Sequence, residues 1–235
     1  PNHPSLILLE SINLKLVDGK LLKSKEGEMK NQIIPQRTIS TINNPTVAVV
    51  IATHNRPELL KNRSLPSVYR QTHSPDFIVI VDDSLPTAMI LNKQIIDALP
   101  LNDVIPVYLE NYRTKGASGA WNTGLKWLMS NIPDSNNTFV AILDDDDEWD
   151  GDHLESCLRS NPDLEHDITI SGIVRHEDNK PPKKQSIPST LEVNELLVRN
   201  PHIQGSNLFV RLHTLLQAGL FDEAMKSSTD RDMCI

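Results

Sequence analysis

Between Phe139 and His153 the chain reads FVAILDDDDEWDGDH: an apolar run, four successive aspartates, then a glutamate, a tryptophan and two further acids. Carboxylates about 4 Å apart repel by roughly 1 kcal/mol in water and about 4 kcal/mol at the effective dielectric near a protein surface. Such a run must hold protons, splay into solvent or share a cation. An all-oxygen donor set selects a hard ion, Mg2+ or Mn2+, of the kind that bridges phosphate oxygens. In an extended segment the side chains alternate. Asp144 and Asp146 are then expected to point one way and Asp145 and Asp147 the other, one pair on a metal and the other on polar groups.

Rival readings compete for the same residues. A merely solvated acidic loop fits poorly with the strand-like run directly before it. Asp146, Glu148, Asp150 and Gly151 nearly fill the first half of an EF-hand loop, but its twelfth position is Cys157 rather than a bidentate glutamate. A glycosidase-like carboxylate pair leaves Asp82, Asp83 and the segment KGASGAWNTG without a task. That segment lacks both the ending of a P-loop and the spacing of a dinucleotide fingerprint. Its small residues let a helix N-terminus approach an anion; Gly116, Ala117, Gly119 and Ala120 serve tight helix–sheet packing equally well.

The elements that must position these groups begin at Thr46. VAVVIAT (47–53), FIVIV (77–81), VIPVYL (104–109) and FVAIL (139–143) are continuous apolar runs rich in β-branched residues, as in strands covered on both faces. PELLKNRSLPSVYRQ, TAMILNKQIIDAL and ASGAWNTGLKWLMSN between them read as helices, with Pro57 at a first helical position and Pro66 expected to kink or end its helix. This order predicts an α/β fold with a mostly parallel sheet flanked by helices. Ligands bind beyond the carboxyl ends of such strands. There the sequence places His54-Asn55-Arg56, Asp82-Asp83-Ser84 and the four aspartates. Further on, GDHLESCLRS reads as a helix, DITISGIV as a strand, RHEDNKPPKKQSIP as an irregular loop, TLEVNELLVRN as a helix, SNLFV as a strand, and RLHTLLQAG as a helix stopped by Gly219. Residues 1–45 are set apart as a small N-terminal appendage, a β-hairpin around Asp18-Gly19 followed by the polar linker KSKEGEMKNQ.

A chain of 235 residues is long enough to bury a real core. Its net charge of −8 excludes a phosphate-binding basic face, so no nucleic-acid partner is expected. The two cysteines, Cys157 and Cys234, fit neither a metal spacing nor a disulfide framework, which points to a reducing, cytoplasmic compartment. No apolar run reaches the roughly 20 residues of a membrane span, and no signal peptide is visible. The chain begins at Pro1 and stops at Ile235 inside what reads as a helical turn, so both ends are expected to be cuts, with truncation at the C-terminus.

Taken together and in order, VAVVIATHNRP, FIVIVDDS, GASGAWNTGL, FVAILDDDDEW and GLFDEAMKSSTDRD resemble the family 2 glycosyltransferases of the GT-A fold, over residues 46–235. The resemblance implies an inverting, metal-dependent transferase, of hexosyl or N-acetylhexosaminyl type. It would move a sugar from a nucleoside diphosphate donor, expected to be UDP-linked, to a hydroxyl on a saccharide or other acceptor. It implies a nucleotide site lined by Ala52, His54, Asn55 and Arg56, with Asp83 accepting from the base and Gly116 and Asn122 closing the pocket. Asp144 to Asp146 would stand for the D-x-D motif, with Asp146 and Asp144 on Mn2+ or Mg2+ and Asp144 or Asp145 meeting the ribose. Asp230 would be the general base, with Asp232 as contender because Thr229 replaces the usual glutamate; Trp121 stands where many relatives carry arginine. His202 and Gln204 are placed at the acceptor; the charge and composition of NKPPKK, apart from the resemblance, suggest a lid that brings Lys183 and Lys184 over the diphosphate. The rival from another class is a catalytically silent nucleotide- or carbohydrate-binding module on the same scaffold. A nucleotidyltransferase lacks its basic, glycine-rich loop after VVIAT.

Overall fold

The structure, a computed structural model, describes residues 44–100, 104–177, 179–185 and 193–235, with the backbone of four short strands nearer the N-terminus. Pro1–Asn44 and Pro45–Ile235 are separate compact units. In the first, β1 (Leu6–Ile7) pairs antiparallel with β4 (Ile34–Pro35), and β2 (Leu14–Val17) with β3 (Lys20–Lys23) in a register that opposes Val17 to Lys20. The Asp18-Gly19 dipeptide and residues 24–32 of the KSKEGEMKNQ stretch lie outside the described residues, while its Lys23 ends β3.

The second unit is built on a six-stranded sheet. β5 (Thr46–Thr53) lies between β6 (Phe77–Asp82) and β8 (Thr138–Asp144), with β7 (Ile105–Glu110) outside β6, all parallel. Beyond β8 come β12 (Leu208–Arg211), antiparallel to its neighbours, and β9 (Ile168–Ile170). The strands read as unbroken apolar runs because both faces are covered. On β5, Ala48 and Val50 join one core cluster and Val47, Val49 and Ile51 the other. Each fully buried Val or Ile contributes about 1.5–3 kcal/mol.

One face carries α4 (Ala117–Asn131), which sits so close to β5 that a Cβ on Gly124 would lie 2.8 Å from Val50 Cγ1. The other face carries α1 (Pro57–Leu59), a π turn over Leu60–Ser64, α2 (Leu65–Tyr69), α3 (Pro86–Asp97) and α5 (His153–Arg159). Pro66 has no N–H to give, and the chain accommodates it with the wider π turn, where the Leu65 N–H reaches back to the Leu60 carbonyl. The expected kink is thus a local widening.

Two expectations need correction. DITISGIV is not one strand: the chain leaves the sheet after Ile170, and β10 (Ile173–Arg175) pairs instead with β11 (Lys183–Gln185) in a two-stranded ribbon. The polar stretch after Arg175 is therefore not wholly irregular. The ribbon, with Val174 opposite Lys184 and Arg175 opposite Lys183, is held by backbone hydrogen bonds, which need no apolar pattern. The remaining helices are α6 (Val193–Val198), α7 (Leu212–Gln217) and α8 (Thr229–Asp232). Gly219, at φ +90, lets Leu220 N–H return to the Leu215 carbonyl and closes α7. Among the described residues no helix is long and apolar enough to cross a membrane.

Candidate active site

Strand order reverses between β5 and β8, since β6 and β7 extend one way from β5 and β8 lies on the other side. At that point Ala52 is in register with Asp144, and the residues after each strand meet.

The aspartate run does not stay extended. The Asp147 N–H donates to the Asp144 carbonyl at 3.2 Å, so the chain turns at once after β8. Asp147 therefore joins Asp144 and Asp146 instead of facing away, and the three offer oxygen ligand atoms within 4.8 Å of one another. Asp145 points inward and is fully buried. Its Oδ2 accepts from Thr53 Oγ1 at 2.7 Å and from the His54 N–H at 3.3 Å, and its Oδ1 lies 2.5 Å from Arg56 Nη2. The same guanidinium reaches Asp146 Oδ2 through Nη1 at 2.6 Å, while Arg63 Nη1 donates to the Asp146 carbonyl at 2.7 Å. Two arginines from the α1 region thus already offset part of the repulsion.

They leave a remainder. Burial, followed by the charges of Asp147, Asp146 and Asp145, pushes the Asp144 carboxyl up to about 7, with Arg56 opposing. Burial also raises Asp145, against the hydrogen bond from Thr53 and the charge of Arg56. Three carboxylates that share a single guanidinium fit a hard divalent ion such as Mg2+ or Mn2+.

The ends of β5 and β6 form a second group. His54 Nδ1 lies 2.7 Å from the Asp83 carbonyl and its Nε2 lies 2.9 Å from Asn55 Nδ2, so Nδ1 carries the proton and Nε2 accepts. Asn55 adopts φ 56; its N–H donates to Ser84 Oγ at 2.7 Å and its Oδ1 accepts from the Leu85 N–H at 2.8 Å. Asp83 accepts from Asn111 Nδ2 at 2.9 Å and from the Gly116 N–H at 2.8 Å, which ties the start of α4 to β6. Asp82 is internal: Ser84 N–H, Asn92 Nδ2 and Tyr108 OH all donate to it.

A third group lies around α4 and the segment after Gly219. Gly116 has φ 118, and a Cβ on Gly119 would fall 1.8 Å from the Thr114 carbonyl oxygen, so the small residues are required by backbone approach. Asn122 is 1% exposed; its Nδ2 donates to the Phe221 carbonyl and to Glu223 Oε1, and its Oδ1 accepts from the Phe221 N–H. It faces this loop and not the aspartates. Trp121 is buried against Phe221 with ring centroids 4.8 Å apart. A cavity of about 560 Å3 is lined by residues that include Lys115, Gly116, Trp121, Met225, Ser228 and Asp230. Burial raises the Asp230 carboxyl, opposed by the Arg231 N–H, which donates to its Oδ1 at 2.8 Å. Thr229, in the place of the expected glutamate, is buried with its hydroxyl 3.1 Å from that of Ser118. Asp232 is not among the cavity residues.

The segment NPHIQGSN meets the backbone of the acidic run. Gln204 and Asn207 cap the short 3-10 turn Gly205–Asn207 reciprocally. Ser206 Oγ accepts from the Asp144 N–H at 3.1 Å, and the Ser206 carbonyl accepts from Trp149 Nε1 at 2.7 Å. Trp149 in turn stacks on His153, whose imidazole burial holds down to about 4. His202 is exposed at φ 71, and Lys183 and Lys184 are exposed on β11. Arg63, Trp149, Ser206 and Glu223 were not singled out from the sequence. Asp147 was expected to face away from the metal pair with Asp145, and it joins that pair instead.

The glycosyl transferase family 2 model matches residues 48–216. The chain is 29% identical over 123 residues to the succinoglycan biosynthesis protein ExoW of Rhizobium meliloti, covering 48% of this chain and 33% of that protein. It is 29% identical over 133 residues to an uncharacterized glycosyltransferase of Nostoc sp., covering 56% of this chain and 36% of that protein. The matches thus span about a third of each relative's length. Among solved structures, S. aureus TarS 1-349 in complex with UDP aligns with a TM-score of 0.57 at 18% identity, over 80% of this chain and 53% of that one. The complex of the same protein with UDP-GlcNAc gives 0.56 at 17%, over 80% and 52%. Those likenesses carry the GT-A fold, and the family match covers most of the chain and every strand of the parallel sheet except the first residues of β5. The protein belongs to glycosyl transferase family 2.

Proposed function

We propose that the protein is a metal-dependent, inverting glycosyltransferase that moves a hexose or N-acetylhexosamine from a UDP-linked donor to an acceptor hydroxyl. One observation carries the reading. The carboxylates of Asp144, Asp146 and Asp147 converge just past the end of the parallel strand β8, with oxygens within 4.8 Å of one another. The solved TarS complexes with UDP and UDP-GlcNAc support the choice of donor. Two unpaired cysteines support the cytoplasm as compartment.

Asp144, Asp146 and Asp147 would hold the Mg2+ or Mn2+, which when bound neutralises the diphosphate leaving group. His54 and Asp83, joined through the Asp83 carbonyl, line the base side with Ala52 and Asn55. Asp145, sealed beneath the rim, acts by holding Arg56 and Thr53 in place. Asp230 takes the acceptor hydroxyl proton as the new bond forms at the anomeric carbon and the electron pair of the old bond leaves with the diphosphate. Partial burial raises its carboxyl and makes it the stronger base. Asp232 lies off the cavity, so Asp230 is the base of choice. His202 and Gln204, just before the Gly205–Asn207 turn, would contact the acceptor.

The silent binding module leaves Asp230 without a task. Asp230→Asn separates the two: turnover of UDP-sugar with Mn2+ should fall by about 10²- to 10⁴-fold while UDP affinity stays as it was. Unchanged turnover in that variant would overturn the proposal.

A further inference from the structure

We propose that Arg56 ties metal uptake to the diphosphate: in the free protein its guanidinium holds Asp146 where the cation would, and a diphosphate oxygen arriving with the cation takes over the released Nη1. The inference rests on the glycosyltransferase reading.

The guanidinium makes two contacts of unequal standing. Nη2 lies 2.5 Å from Oδ1 of Asp145, which is fully buried. That oxygen accepts no hydrogen bond, and among the described residues no other side-chain cation pairs with Asp145. Letting go would leave a buried charge without compensation, which is strongly unfavourable. Nη1, 2.6 Å from Asp146 Oδ2, belongs to the rim, where Arg56 is 41% and Asp146 44% exposed. Water and ions reach this half, and an exposed pair contributes little. The inner contact is fixed and the outer one can be exchanged.

The surroundings confine that exchange to side chains. Thr53 Oγ1 and the His54 N–H hold Asp145 in place, and Arg63 Nη1 holds the Asp146 backbone through its carbonyl. A cation taken up by Asp144, Asp146 and Asp147 competes with Arg56 for Asp146 and is repelled by it. A diphosphate reverses the sign, because its oxygens screen the cation and accept charge-assisted hydrogen bonds from a guanidinium end. The bare site is therefore poor in cation affinity and the site with diphosphate is rich. Direct contact between cation and phosphate adds its own share, in which Arg56 has no part.

The test measures Mn2+ affinity, through the EPR signal of the free ion, with and without saturating UDP in the wild type and in Arg56→Gln. In the variant, Mn2+ alone should bind about two- to fivefold more tightly than in the wild type. Its enhancement by UDP should fall by about fivefold or more. An arginine that only orients a metal ligand acts with the opposite sign, since its loss weakens the metal by about 10- to 100-fold. Weaker binding of Mn2+ alone, or an enhancement equal to that of the wild type, overturns this inference alone. If Arg56→Gln does not fold, combining it with Asp145→Asn removes one charge of each sign. The enhancement should fall by the same factor there, and an undiminished one overturns the inference. Failure of the wild type to take up Mn2+ with UDP present overturns the parent reading, and this one with it.

Discussion

Asp144 and Glu223 are both carboxylates held back from open water, and the chain treats them in opposite ways. Glu223 has partners for both oxygens: Arg113 Nε and Asn122 Nδ2 at Oε1, and the Thr114 N–H at Oε2. Burial would raise it, but hydrogen bonds from Asn122, Arg113 and Thr114 hold it down near 2. Asp144 receives burial and three like charges, which Arg56 does not outweigh, and it rises to about 7. A charge answered in full has nothing left for a ligand; it fastens Phe221 to Glu223 onto α4. One answered in part is ready to take a cation or keep a proton. The contrast separates scaffold from site by electrostatics alone.

The largest blow to that contrast would come from removing one acid from the open cluster. Asp146→Ala should lower Mn2+-supported turnover by about 10³-fold or more, because charge stabilisation of the leaving group is lost. Its melting temperature should change little, since relief of repulsion offsets the lost Arg56 contact. Turnover near that of the wild type would collapse the distinction.

Next in size is the response to pH, where the two acids carry opposite signs. The raised Asp144 carboxyl contributes stability that is complete below its ordinary value of 3.8 and is lost as pH rises through about 7. Metal-free protein should therefore gain stability from this group on going from about pH 8 to about pH 5, and Asp144→Asn should flatten that slope. Mn2+ must displace the same proton, so its affinity should fall by about tenfold per pH unit below 7. Glu223 stabilises above its ordinary value of 4.5, and that contribution is lost only as pH falls toward about 2. Thermal melts and Mn2+ titrations across this range check both signs.

The smallest effect sharpens the comparison from the closed side. Glu223→Gln should cost about 1–3 kcal/mol of stability, since it weakens hydrogen bonds to a charged group. It should shift melting by about 2–4 °C per kcal/mol in a domain of this size and leave Mn2+ affinity unchanged. A loss of Mn2+ affinity as large as that of Asp144→Asn would erase the difference between the two regions.

How much of this was legible in the sequence follows the same division. Strands covered on both faces announce themselves as apolar runs, so β5, β6 and β8 and the acids at their ends could be placed from residue types alone. What followed the strands could not. Alternation fails at Asp147 because the backbone turns after Asp144, a choice set by local hydrogen bonding that side-chain pattern does not reveal. The Arg56–Asp146 pair joins residues 90 positions apart, and Glu223 finds its partners across 101 to 110 positions, so neither has a local signal. Asn122 and Trp121 sat in a recognisable segment, yet their side chains face the Phe221 loop, which only packing decides.

The wide turn at Leu60–Ser64 works as a shim. Deleting one residue there would restore a regular helix and rotate everything before it by about 100° relative to Leu65–Tyr69. Leu60, now fully buried, would turn off the sheet, and Arg56 and Arg63 could not both stay on the acids. A length change in this helix, however harmless it looks on a surface, would be felt at the acidic cluster.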